Sequence, residues 1–272
     1  MSTNLTPASL WILNKYITLE KSLEQNLQSY ELAHSVEGLY KYLWDFYADW
    51  YVEYLKTSPD QKPFAKELFK QFIITLSPYM PFETEALWKE YFNETGLLAL
   101  QKKDFNWSLN TLQTTGLTEK EIATQINEFE FVVKFVQNLR SLRGLFAIDP
   151  ANAVEIYTSS TQLLTYSQFI KLIAKGTLID TQKPQFYTVK TADFTYSIDI
   201  LAYIKDKQTE IQRTEKLILN LEKQSSSLQS QLSNALFLEK AETEVIDNKK
   251  QDLQNRLDEI KQQQEKLNFL TK

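Results

Sequence analysis

The chain has 272 residues, 43% of them hydrophobic and 13% aromatic, enough to bury one or two real cores. Five glycines and seven prolines favour long regular elements over turn-rich β architecture, and the absence of cysteine excludes disulfides and thiolate chemistry. A net charge of −5 argues against a general nucleic-acid binder, and no early run is apolar enough for a signal peptide or membrane span. A cytoplasmic protein is expected. Acidic and basic residues balance beyond residue 200, so the acidic excess lies upstream and leaves room for a local basic surface.

In chain order, residues 8–57 predict two amphipathic helices. Leu10, Leu13, Ile17, Leu23 and Leu27 repeat at helical spacing in the first. In the second, Tyr40, Trp44, Tyr47 and Tyr51 step by three and four and so share one face of an α-helix. The prolines of TSPDQKP break the pattern. A third helix covers FAKELFKQFIITL, and Pro81 suits the first turn of a fourth, with Glu83 and Glu85 at its positive end. Residues 93–115 read as a loop. A fifth helix runs from about Thr118 to Arg143, with Gly144 as its stop. Together these five form an antiparallel helical bundle.

Residues 150–197 change character. AVEIYTSS alternates like a strand, TQLLTYSQFIKLIAKG reads as a short helix ending at Gly176, and QFYTVKTADFTYSIDI as one or two strands. Beyond them, Ile204, Ile211, Ile218, Ser225 and Leu232 stand seven apart, with Leu221 and Leu228 beside them. After LSNALFLEKAETEV the spacing resumes at Ile246, Leu253, Ile260 and Leu267, with Leu257 as companion. These are heptads in two arms. The first is about 50 Å long at ~1.5 Å per residue, and the second somewhat shorter. Ser233 and Asn234 break the first helix, and Glu242, Thr243 and Glu244 suit the start of the second. The expected fold class is therefore mainly α, in three parts: a helical bundle over 1–147, a small α/β connector over 148–197, and a coiled-coil hairpin over 198–272.

Several stretches resemble the C-terminal third of the class I aminoacyl-tRNA synthetases, and of the valyl-tRNA synthetase family in particular. LYKYLWDFYADWYVEYLK carries that family's anticodon-domain pattern at Trp44, Tyr47, Asp49, Trp50, Tyr51, Glu53 and Lys56. LSPYMPFETEALW is similar to its His-Pro-Phe-Met-Pro-Phe run, with Ser77 for His and Tyr79 for Phe. VQNLRSLRGLF resembles the closing helix with its two arginines. LSNALFLEKAETEV resembles the tip of the family's tRNA-binding arm, with Glu242 where proline is usual, and SSSLQSQ lacks the lysines usual there. The resemblance implies tRNA as partner. It also implies a catalytic region in cis or on a separate chain, since neither an HIGH-like nor a KMSKS signature is present. ATP and valine chemistry would belong to that region, with no cofactor or metal held by this chain. A stand-alone RNA-binding or trans-acting module and a self-pairing structural coiled coil are the alternatives.

The candidate tRNA contacts are Arg140 and Arg143 at the end of the fifth helix, and Lys205, Arg213, Lys216, Lys223, Lys240, Lys249 and Lys250 along the arm. Each has an ordinary reading too. Cations favour a helix C-terminus through its dipole, and coiled-coil surfaces alternate charge. The aromatic row reads either as core or as a platform for unstacked bases. Asp45, Asp49 and Glu53 read as a solvated face. The single histidine, His34, has no catalytic constellation in sequence. No catalytic residue is assigned.

Overall fold

A computed structural model describes residues 4–92, 107–181, 186–204, 206–234, 237, 239 and 241–272. The chain is mainly α with one four-stranded sheet, and it forms two compact units: 1–137 with 160–174, and 138–159 with 175–272.

The first unit contains α1 (Pro7–Gln28), α2 (Leu32–Lys41), α3 (Lys62–Leu76), α4 (Pro81–Phe92), α5 (Trp107–Thr114), the start of α6 (Glu119–Leu145), α7 (Thr161–Thr165) and α8 (Ser167–Ala174). Thr6 caps α1, its hydroxyl accepting from Ser9 N at 3.3 Å, and Pro7 occupies the first helical position. Thr118 and Glu121 close a reciprocal capping box on α6, at 2.8 Å and 3.3 Å. The stretch expected as loop over 93–115 contains α5, because Trp107 packs on Tyr16 and Phe64 and Ser108 donates to Glu20 at 2.8 Å. Residues 93–106 of that stretch lie outside the described residues.

Between α2 and α3 the helix widens into a π-helical segment, Tyr42–Val52. Bonding from i to i+5 stacks residues five apart, so Tyr42 and Tyr47 come together with ring centroids 6.3 Å apart. This corrects the single aromatic face. Tyr47 and Tyr51 are buried at 9% and 0% exposure, while Tyr40 and Trp44 are exposed at 63% and 52%. An α-helical phase would have kept all four together. Wider turns rotate the later pair inward. The core they join holds Trp11, Tyr16, Phe72, Phe129 and Phe169. A buried polar knot crosses it: Ser9 Oγ lies 2.7 Å from the Tyr51 hydroxyl and donates to Gln61 Oε1 at 2.8 Å. Gln61 comes from the proline-rich break, which is how that turn is tied to α1.

The second unit carries β1 (Val154–Tyr157), β2 (Gly176–Ile179), β3 (Tyr187–Lys190) and β4 (Thr195–Ile198), in the order β2-β1-β4-β3. β1 and β2 are parallel, with Val154 opposite Gly176, and the other pairings are antiparallel. β2 departs from the expected helix stop: Gly176 opens a strand instead of merely ending a helix, and the preceding helix is interrupted at Tyr166. From the sheet side the arm leaves as α9 (Lys207–Leu232), capped by Asp206, and returns as α10 (Thr243–Thr271). The helices have 26 and 29 residues, about 39 Å and 44 Å long at ~1.5 Å per residue. The second is therefore the longer, against expectation, because the first begins only after the 3-10 turn Leu201–Tyr203.

Candidate nucleic-acid interface

Glu210 near the start of α9 meets Lys266 near the end of α10, and Gln231 near the end of α9 meets Lys249 near the start of α10. The two helices are therefore antiparallel neighbours. Their seam buries Ile218, Leu221, Ile260 and Leu270, but also Thr214, Ser225, Gln263 and Lys266. Half of these buried positions are polar, so packing contributes modestly and register is set by specific pairs. Leu257, expected in the seam, is 47% exposed. The helical drift turns it outward past Ile260.

The root of the arm is fixed by aromatic and charged contacts. Phe146 after α6, Tyr187 on β3 and Phe269 on α10 form an edge-to-face triad with centroids 4.9–6.1 Å apart. Lys266 Nζ donates to Glu210 Oε1 at 2.6 Å and to the Leu145 carbonyl at 2.7 Å, and stands 5.5 Å from the Phe146 ring. A cation at the C-terminal end of α6 also suits that helix's dipole. At the far end, Lys249 donates to Gln231 at 2.7 Å and lies 5.7 Å from the Phe237 ring centroid.

The proposed contact residues separate by their surroundings. Arg213, Lys216 and Lys223 are exposed on α9, and Lys250 is exposed on α10 beside Asp247 at 3.2 Å. Arg140 is exposed at the end of α6. Arg143 is 5% exposed, and its Nη2 donates to the carbonyls of Asp149 and Asn152 at 2.6 Å and 2.7 Å. It ties the turn after α6. Lys249 is half-buried by its contacts. Lys205 and Lys240 lie outside the described residues, as do Leu236 and Leu238 at the tip. Lys266 is not among the residues expected from the sequence, where the heptad position falls on its neighbour Leu267. A lysine four residues before the buried Leu270 was the available signal.

In the first unit, Leu32, Val36, Tyr40 and Trp44 form an exposed strip at four-residue steps, each more than half exposed, with the Tyr40 and Trp44 rings 6.3 Å apart. Asp45 and Asp49 are exposed, and Glu53 pairs with Lys56 at 2.6 Å. His34 pairs with Glu31 at 3.2 Å on the surface. Among the described residues no group of acidic and histidine side chains is placed to hold a metal, and no helix is long and apolar enough to cross a membrane. This arrangement offers exposed cations on a helical hairpin and exposed rings on a bundle. It supports recognition of phosphates and unpaired bases.

The chain belongs to the anticodon-binding-domain family of tRNA ligases, whose model matches residues 9–158. The model for the valyl tRNA synthetase tRNA binding arm matches residues 206–271. The chain is similar to the valine–tRNA ligase of Pelagibacter ubique, at 26% identity over 90% of this chain and 29% of that protein. The enzymes so named from Helicobacter hepaticus and Thermotoga maritima are 27% and 24% identical, over 94% and 92% of this chain and 29% of each relative. The chain thus spans under a third of the length of the relatives it matches.

Proposed function

We propose that this chain is the tRNA-binding portion of a valine–tRNA ligase. The helical unit engages the anticodon region, with Tyr40 and Trp44 as the ring surface for unstacked bases. The arm braces the outer corner of the tRNA through Arg213, Lys216, Lys223 and Lys250, by charge and shape more than by base readout. ATP-dependent valylation belongs to a catalytic region in cis or on a separate chain, in the cytoplasm where tRNA charging takes place. The chain itself carries no ATP or valine chemistry in this reading.

The observation that carries it is the succession of an anticodon-domain match and a tRNA-arm match within one chain. The test is binding of the purified chain to valine tRNA, followed across a salt titration and repeated with a tRNA of altered anticodon. Phosphate contacts make log affinity fall linearly with log salt. Tight, salt-dependent binding that weakens on anticodon exchange is expected. Equal affinity for the two tRNAs would refute anticodon reading, and no binding at moderate salt would refute the function.

A further inference from the structure

A cavity of about 420 Å³ opens at the root of the arm, between the last turn of α6 and the two arm helices. Its lining includes Ser141, Gly144, Glu210, Arg213, Gln263 and Lys266. Three observations point to a ligand. Gln263 is 8% exposed, and its Oε1 is buried with no hydrogen-bond partner. A buried acceptor left unpaired costs free energy, and a donor brought by a ligand removes that cost. Arg213 is the cation on the rim with no ion-pair partner among the described residues, whereas Lys266 is neutralised by Glu210 and Glu259 by Arg256. Gly144 is helical and has nothing within 4 Å of where a Cβ would stand. Neither backbone conformation nor crowding calls for glycine there. Its effect is to keep that wall of the cavity flat.

We infer that this cavity receives one ribonucleotide unit of the bound tRNA, its phosphate on Arg213 and its ribose 2′-hydroxyl donating to Gln263 Oε1. The ligand must carry an anion and an O–H donor a few ångströms apart, and a nucleotide of RNA carries both. The volume is of the size that takes a small ligand. The site lies at the junction tied by the Lys266 contacts and the aromatic triad, so a nucleotide seated there fixes the arm's register on the RNA. This inference rests on the tRNA-binding reading given above.

The experiment compares the chain with its Arg213→Gln, Gln263→Leu and Gly144→Leu variants, by anisotropy with labelled valine tRNA across a salt series. Circular dichroism checks the fold, and Arg213, being exposed, provides the variant least dependent on packing. Each variant is expected to weaken binding by about three- to tenfold. Arg213→Gln should also flatten the log–log salt slope by about 0.7–0.9, the value for one phosphate. Gln263→Leu should leave the slope unchanged. A chain that binds tRNA, with folded variants that bind it equally well, overturns the cavity and leaves the tRNA reading standing. A wild-type chain that binds no RNA ends the broader reading instead. AMP and CMP at millimolar concentration distinguish a free nucleotide from an RNA one. Arg213-dependent mononucleotide binding, with tRNA affinity insensitive to Arg213→Gln, overturns the assignment to RNA.

Discussion

Lys266 and Glu210 meet at 2.6 Å at the root of the arm, with side chains only 5% and 15% exposed. The pair joins the two ends of the coiled coil that lie farthest apart in sequence along the hairpin. Breaking it leaves a charge stranded away from water, a loss on the order of 3 kcal/mol or more. Lys266→Met and Glu210→Gln should each lower the urea midpoint of the helical signal. The double variant should lose less than the two losses combined, since the second change removes the charge the first left unpaired. A strictly additive cycle would show that the pair does not couple the helices.

The end of α6 has its glycine and its left-handed residue at different places. Gly144 is helical, whereas Ala147 adopts φ 51° and Ile148 N closes the turn on the Arg143 carbonyl at 2.9 Å. Gly144→Ala should stabilise by about 0.5–1 kcal/mol through helix propensity. Ala147→Gly should stabilise by about 1 kcal/mol through relief of the left-handed strain. Thermal unfolding of the two variants checks both signs.

Arg143 and Lys216 separate a structural cation from a proposed RNA contact. Arg143→Met removes charge-assisted bonds to the Asp149 and Asn152 carbonyls and should cost about 2–3 kcal/mol of stability without changing the salt slope of tRNA binding. Lys216→Ala should leave stability within about 0.5 kcal/mol and flatten the slope by about 0.7–0.9. An unchanged slope for Lys216→Ala would remove that lysine from the interface.

The π-helical segment makes an equally sharp division. Tyr51→Ala should cost about 3–5 kcal/mol, as a buried aromatic in a packed core. Trp44→Ala should be close to neutral for folding yet weaken binding of the anticodon stem-loop by about 1–3 kcal/mol, the value of one base–aromatic stack. If Trp44→Ala leaves stem-loop affinity unchanged, the exposed rings serve some other surface.

Burial raises the phenol pKa of Tyr16, Tyr47 and Tyr51 well above the ordinary range. The unfolded chain releases these protons near pH 10, the folded chain does not. Above that pH the native state binds more protons than the unfolded one, so stability falls as pH rises. It is fully present below pH ~10. Absorbance at 295 nm should show these three buried phenols ionising only together with loss of the helical signal.

Periodicity made the long elements legible. Apolar spacing outlined α1, α3, α4, α6 and both arm helices, and proline and capping residues marked where several begin, as at Pro81 and Thr118. The sequence also carried the family resemblance, because it lies in short runs such as DWY and LSN that need no folding to be read. What depended on distant partners was decided by tertiary structure. Tyr47 turns inward while Tyr40 stays out because the helix between them is π-wound, a choice invisible to a 3.6-residue template. β2 exists because β1 offers it a parallel partner, and residues 160–174 group with the helical unit through contacts such as Phe169 on Phe129. Arg140 and Arg143 are alike in sequence. Only the carbonyls of Asp149 and Asn152, brought under the helix end by the chain's turn, decide that Arg143 is a tie inside the protein.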